Sequence, residues 1–468
     1  MLDAALSVIN TFIAIGDYLW GWPILVSLAI VSVLYTIGTR GFQFTHFGYA
    51  IKKTFLTQIK AAQKGDSNTA HGVSSFKAMC MALCNTLGTG NIAGIAVAIS
   101  LGGPGAVLWI WIAGFLGIIL KYSEITLGVK YREIDPDTGK YRGGIMWYVE
   151  KGLSKRWRWI AILYALVYAG PCINAPAVQI NTLASSITAY FDVPPMLIGI
   201  ICALLLGLVL LGGVNRISIF AEKTVTVMSV AYFAVSMFIL IRYLPQIPQA
   251  FGMIFKYALT DVQAIAGGFG GATVALAMRH GFARGFYSNG AGTGDSAFAH
   301  SYGDVDCPCD QGIWGLGEVV IDTIVCTCTA LVILVTGAWE SSLSGAALTA
   351  SAVSIAFGSK TFGNLFIMVV VAFFAFTTAL MCAHYSEISL RYFTRNQTVA
   401  KIYRLVICLV CLFATNPVFV ERVDILWRFG DFNVAMNILL SLLTLFLLRK
   451  DVFAETEKFK QSIKNQAH

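Results

Sequence analysis

Charge is scarce in this chain. Only 12% of its 468 residues are Asp, Glu, Lys or Arg, while 57% are apolar and the mean hydropathy is +0.71. Soluble domains carry about 25% charged residues, so the composition excludes one and requires a polytopic membrane protein with basic loops and a charged tail. A disulfide framework is missing too. Nine of the eleven cysteines lie in apolar segments, where a free thiol behaves as a small hydrophobe. The exception, Cys307-Pro308-Cys309 beside Asp304, Asp306 and Asp310, has no second Cys or His pair at zinc spacing. There is no His-Glu-x-x-His pair and no Gly-x-Ser-x-Gly elbow, which argues against an intramembrane enzyme and leaves no cofactor to expect. The first twenty residues lack a basic start, with Asp3 in its place, and show no small-residue cleavage site. They read as an amphipathic interfacial helix leading into the first span. The net charge of +8 needs no nucleic acid, because basic residues gather beside membrane spans for topological reasons.

What the chain has is apolar length. A spanning helix takes about 20 apolar residues, and eleven candidates are centred near residues 28, 90, 117, 173, 204, 231, 272, 324, 377, 408 and 438. Assigning the loops at 39–77, 130–158, 212–223, 279–311 and 391–404 and the tail from Arg449 to one side gives that side 27 of the 33 Lys and Arg. The opposite side has five, and Lys121 lies inside a span. The positive-inside rule makes the rich side cytoplasmic, so the N-terminus is expected outside and the C-terminus inside.

Two of these spans are interrupted by glycine. One break is Asn85-Thr86-Leu87-Gly88-Thr89-Gly90-Asn91-Ile92-Ala93-Gly94; the other is expected at Gly267-Gly268-Phe269-Gly270-Gly271. Lipid cannot satisfy free backbone groups, so unwound chain at membrane depth must line protein or a polar cavity. The breaks fall in the second and seventh spans, five apart, and a five-span unit repeated once inserts its second copy inverted, as in many secondary transporters. The expected organisation is an N-terminal interfacial helix, first span and basic loop (1–77), a first five-helix repeat (78–243), a second inverted repeat (244–449) and a cytoplasmic tail (450–468). A broken helix offers amides at one end, which suit a carboxylate, and carbonyls at the other, which suit a cation. A zwitterion and an alkali ion therefore fit side by side without any formal protein charge.

Other polar residues at membrane depth keep two readings each. Thr377 and Thr378 either back-bond within the ninth span or coordinate a ligand. Gln179 and Asn181 are either interhelical glue or substrate ligands. Lys121 and Glu124 read as a structural pair; Glu318 and Asp322, on one helix face, mark either a cation or proton pathway or pairing with a cytoplasmic basic residue; and His384 and Glu387 close the ninth span, as a structural end or a proton relay.

Several runs then become recognisable. Gly88-Thr89-Gly90-Asn91-Ile92-Ala93-Gly94, Gly102-Gly103-Pro104-Gly105-Ala106, Lys121-Tyr122-Ser123-Glu124, Lys130-Tyr131-Arg132-Glu133, Ser288-Asn289 and Ala375-Phe376-Thr377-Thr378, with similar stretches between, resemble the alanine or glycine:cation symporter family over nearly the whole chain. The resemblance implies an all-α leucine-transporter-type fold, with a 5+5 inverted repeat and one extra N-terminal span. It also implies symport of alanine, glycine or a similar small neutral amino acid with sodium, or sometimes a proton, across a prokaryotic inner membrane. Carried over, sodium would sit among the carbonyls of Cys84 and Leu87 and the hydroxyls of Thr377 and Thr378. The substrate carboxylate would meet the amides of Gly88, Thr89 and Gly90. Asn85, Asn91, Gln179 and the backbone of Gly267, Gly268, Gly270 and Gly271 would hold the amino group and frame the side chain, with Phe269 as a cap. The chain departs from the family pattern where glutamate usually follows Ser288-Asn289. It has Gly290 there, with Asp295 five residues on as a candidate replacement, Trp147 in place of tyrosine, and Glu318 as an added acid. A channel, or a sensor that binds its ligand without moving it, are the rival classes.

Overall fold

A computed structural model describes residues 2–56, 71–260, 273–416 and 423–466. Wherever apolar residues run without a breaker the chain is helical, since in lipid each backbone group must bond within its own segment. α1 (Leu2–Leu19) and α2 (Trp22–Gly38) meet at a bend of 44° next to Gly21 and Pro23. α3 (Ser75–Thr86), capped by the Ser74 hydroxyl, and α4 (Ala93–Gly102) form a second bent pair, and the interruption between them turns the chain by 63°. α5 (Ala106–Lys130) leads to a small hairpin, β1 (Glu133–Ile134) with β2 (Tyr141–Arg142). α6 (Arg158–Ala169) and α7 (Asn174–Thr188) make one span, kinked at the short turn that starts at Pro171. α8 (Pro195–Leu211), α9 (Gly213–Arg242) and α10 (Ile247–Leu259) follow.

The second half holds α11 (Val274–Asn289), α12 (Ser296–His300), α13 (Pro308–Val335), α14 (Gly345–Phe357), α15 (Lys360–Phe393), α16 (Gln397–Ala414) and α17 (Val423–Gln466). Among the described residues seven helices are long and apolar enough to cross a membrane, or up to nine if each bent pair is one span. This is a multi-pass membrane protein. α8 is apolar but only 17 residues long, and the candidate centred near residue 272 falls mostly outside the described residues.

The loops assigned to the basic side do meet at one end of the bundle. Val73 and Tyr302 exchange a backbone bond of 2.9 Å, Tyr141 N donates to His71 O at 2.8 Å, and Arg391 reaches Asp135 at 3.4 Å. Lys130 pairs with Asp451 at 2.8 Å, tying α5 to α17. In the hairpin, burial opposes ionisation of Glu133, but hydrogen bonds from Lys151 and Arg142 outweigh it and push the carboxyl down to about 2. At the start of α13, hydrogen bonds from Cys309 and the backbone outweigh burial and bring the Cys307 thiol down to about 6. No cluster of three or more His, Cys, Asp or Glu able to hold a metal occurs among the described residues.

Two expectations change. Arg279 and Arg284 are not in a loop at the basic end: they lie on α11, which packs beside Gly94 and Gly102 toward the opposite end. Lys121 does not pair with Glu124, three residues away on its own helix. Its ammonium reaches across to Glu318 Oε1 on α13 at 3.0 Å and to Ser296 on α12, all fully buried. Ser296 Oγ donates to the same Glu318 oxygen at 3.1 Å, while His300 Nε2 lies 3.2 Å from Glu318 Oε2 and its Nδ1 2.7 Å from Gln311 Nε2. Glu124 instead accepts from the Gly294 amide at 3.1 Å and from Ser441 at 3.3 Å. One polar network thus ties α5, α13 and α17 to α12.

α11 lies directly on α5 because its facing residues are small. A Cβ on Gly285 would meet Ala113 Cβ at 2.6 Å, and one on Gly281 would run into Ala106 O and Trp109 Cβ, the small-residue contact by which helices approach closely in membranes. Gly285→Val is expected to cost about 1–3 kcal/mol through overpacking, read as a lower thermal midpoint in detergent. Gly252→Ala, inside α10 with open space around it, is expected to hold the midpoint or raise it slightly. Lys121→Met strands a buried carboxylate and is expected to cost about 3–5 kcal/mol. Combining it with Glu318→Gln regains part of that loss, and strict additivity in this double-mutant cycle would dismiss the pairing.

Candidate functional site

The first break is built from its own sequence. α3 stops at Thr86, Gly88 is extended (φ −121°, ψ −163°), and a single 3-10 turn, Thr89–Asn91, precedes α4. Gly88 is required for space: a Cβ there would stand 3.0 Å from Thr378 Oγ1. Asn91 holds the corner. Its Oδ1 accepts from the Gly88 amide at 3.0 Å, and its Nδ2 donates to Asp322 Oδ1 on α13 at 2.6 Å. Asp322 also accepts from Ser288 on α11 at 2.9 Å. Thr349 of α14 donates to the Ile92 carbonyl at 3.1 Å.

The second break expected at Gly267, Gly268, Phe269, Gly270 and Gly271 lies outside the described residues. Among the described residues, the interruption that faces the first is Gly290–Gly294, between α11 and α12. Three alternating glycines there have left-handed backbones: Gly290 (φ +58°), Gly292 (φ +87°) and Gly294 (φ +82°). An ordinary residue adopts that region only at a cost, whereas glycine does so freely. Thr86 Cγ2 lies 3.6 Å from where a Cβ on Gly290 would sit, and Tyr287 lies 3.8 Å from the same point on Gly90.

Between the two interruptions is a cavity of about 130 Å³. Pockets for drug-sized ligands run from about 300 to 1,000 Å³, so this one suits a solute of a few heavy atoms. Of the residues singled out from sequence, Asn85, Gly88, Thr89, Gly90, Gln179 and Thr378 line it. Asn91 does not: its side chain is fully buried and spent on Gly88 and Asp322, so it braces the break and does not contact a solute there. The Gly88 amide is likewise already bonded, to Thr86 O and Asn91 Oδ1, each at 3.0 Å. Thr89 and Gly90 open the short turn, where helix geometry leaves amides without an internal acceptor.

The two threonines separate. Thr378 Oγ1 crosses to the first break and donates to the Cys84 carbonyl at 3.1 Å. Thr377 back-bonds to Phe373 O and Phe374 O, both at 3.0 Å, although it too is fully buried. In each hydroxyl the proton is used and only oxygen lone pairs are left to offer, which is what a cation requires. Leu87, fully buried, follows the end of α3 on the same side of the break. Gln179 has its Oε1 buried with no hydrogen-bond partner, and Asn181 donates to the Ala414 carbonyl at 2.6 Å, so the first faces the cavity and the second joins helices.

Ser288, Gly290 and Asp295, noted in the sequence only where it departs from the family pattern, also line the cavity, and sequence reasoning missed Tyr168, Cys172, Tyr287, Thr293, Cys382 and Asn437. Asp295 carries the most chemistry, accepting from Asn85 Nδ2 at 2.8 Å, from Tyr168 at 3.5 Å and from Thr293. The signal that marks this stretch is the Gly-x-Gly-x-Gly alternation at 290, 292 and 294.

Toward the basic end the cavity is closed by a layer of rings. Phe298 and Tyr385, both fully buried, stand 5.2 Å apart, with Tyr168 5.5 Å from Phe298. Beyond them a second cavity, of about 240 Å³, is lined by Tyr302, His384, Glu387, Arg391 and Arg404. There Tyr302 meets His384 at 3.3 Å and Arg404 clasps Glu387 with two bonds of 2.7 and 2.6 Å.

Comparison with known proteins agrees with this architecture. The chain is 37% identical over 375 residues to the uncharacterized transporter YflA of Bacillus subtilis, covering 79% of this chain and 77% of that one. It is 32% identical over 470 residues to the sodium/alanine symporter AgcS of Methanococcus maripaludis, covering 98% of each. Among solved structures, MhsT in complex with L-phenylalanine superposes with a TM-score of 0.59 at 14% identity, covering 83% of this chain and 93% of that one. That likeness shows a leucine-transporter-type fold, a class built on inverted repeats. Residues 5–468 match the sodium:alanine symporter family, and the chain belongs to it.

Proposed function

We propose that this protein is a secondary symporter that imports a small neutral amino acid, alanine, glycine or a close relative, together with sodium by alternating access. Membership of the family supports amino acid and cation symport. The observation that carries the finer reading is the 130 Å³ cavity between two broken helices, with Thr378 and the Cys84 carbonyl on one side of the break and the Thr89 and Gly90 amides on the other. A cation at the first position and a carboxylate at the second follow the partial charges of the two half-helices. Leu87 and Thr377 complete the proposed sodium shell; Asn85 and Gln179 frame the substrate.

The protein lies in the inner membrane of a prokaryote, with its basic end, and so its C-terminus, in the cytoplasm. In that orientation the Phe298 and Tyr385 layer is the inner gate, and rocking of the broken-helix unit opens it. Sodium entry supplies the drive: one charge moving through 100 mV is worth about 2.3 kcal/mol, roughly a fifty-fold concentration ratio. Bilayer, sodium and amino acid are the partners required.

The test is uptake of labelled alanine, glycine and serine into proteoliposomes under an imposed sodium, potassium or pH gradient. Sodium-driven accumulation is expected, and accumulation indifferent to every cation gradient would refute symport. Thr378→Val is expected to raise the sodium concentration for half-maximal uptake about tenfold, the effect of losing roughly 1.4 kcal/mol of ligation, with Thr377→Val weaker because its hydroxyl already serves its own helix. Equal responses of the two variants would place the ion elsewhere.

A further inference from the structure

We propose that Asp295 binds the ammonium group of the substrate, so that the cavity selects solutes bearing a protonated primary amine and tolerates loss of their carboxylate. The inference rests on the transport reading above and deepens it.

The geometry of one carboxylate carries it. Asp295 lines the central cavity at 8% exposure, at the point where the unwound Gly290–Gly294 segment turns into α12. Asn85 Nδ2 and the Tyr168 hydroxyl approach Oδ2, at 2.8 and 3.5 Å, and the Thr293 hydroxyl takes Oδ1. These three donors fix where the acceptor-only group points. None brings positive charge. The buried cation nearby, Lys121, feels the Asp295 charge but makes its bonds to Glu318, at 3.0 Å, and to Ser296. Among the described residues no Lys, Arg or His forms an ion pair with Asp295.

A charge held away from water without a bonded counter-charge is costly, and a guest cation lowers that cost. The two ends of an amino acid therefore meet unlike partners. Its carboxylate finds neutral amides at Thr89 and Gly90 and the partial charge of a half-helix, whereas its ammonium finds a full opposite charge with hydrogen-bond geometry already set. The ammonium end is accordingly the dominant anchor, and Asp295 is a specificity-determining residue. The same carboxylate has no match for an uncharged or acylated nitrogen, which would leave the buried charge unpaired.

The experiment uses the full-length purified protein at saturating sodium, with thermal stabilisation and competition against labelled alanine as readouts. Alanine, alaninamide, lactate and N-acetylalanine are compared on wild type, Asp295→Asn and Asp295→Glu. On wild type, alaninamide is expected to compete within about tenfold of alanine, while lactate and N-acetylalanine fail. Asp295→Asn should weaken alanine and alaninamide by tenfold or more, with Asp295→Glu recovering part. Lactate competing as well as alanine overturns the proposal, and the wild-type ligand series decides this even if Asp295→Asn does not fold. Unchanged alanine affinity in Asp295→Asn together with a raised sodium requirement overturns it in favour of a cation ligand. Absence of binding by any amino acid to wild type, with or without sodium, refutes the transport reading itself, a result distinct from the other two.

Discussion

Backbone hydrogen bonding governs this molecule. In a bilayer an unpaired amide or carbonyl costs several kcal/mol, so each helix that stops at membrane depth must be met by other groups. The 63° turn at Leu87–Ile92 is possible because Asn91 reaches back to the Gly88 amide and across to Asp322, Thr378 takes the Cys84 carbonyl, and Thr349 takes that of Ile92. Glu124 does the same for the Gly294 amide of the opposing break. What these braces leave over, at Thr89, Gly90 and the cavity face of Thr378, is what a solute can use.

The buried charges follow from the same constraint. Lys121, Glu318, Ser296 and His300 form a closed group beside the second break, and the pair survives burial because each member is hydrogen-bonded as well as opposed in charge. Residues 290, 295 and 318 belong together in space. A side chain at 290 would begin 3.5 Å from Lys121 Nζ. With glycine there, Glu318 faces Lys121 and Asp295 faces the cavity.

Between the central cavity and the basic end stands the ring layer of Phe298 and Tyr385 with Tyr168, while the helices around it are joined by ion pairs such as Arg404 with Glu387. Rings pack well through their faces, and the polar bond this layer makes, from Tyr168 to Asp295, lies on its cavity side. Such a layer is a suitable element to part in a transport cycle, with the paired charges keeping the surrounding helices together.

Hydrophobic length and glycine placement settled much of this protein from sequence alone. The membrane class, the helical content, the bend at Gly88–Asn91 and the gathering of basic loops at one end all follow from local composition, because lipid acts on each segment separately. Asn85, Gln179 and Thr378, to which the family resemblance gave substrate and ion roles, line the central cavity. Partners across the bundle were not legible. That Lys121 reaches Glu318 and not Glu124, that Asn91 braces instead of binding, that Thr377 turns to its own helix while Thr378 crosses, and that Gly290–Gly294 opposes the first break are all decided by which helix faces which, and at what height. Hydrogen bonds and ion pairs act only across a few ångströms, and only the packed bundle brings residues some two hundred positions apart to that distance.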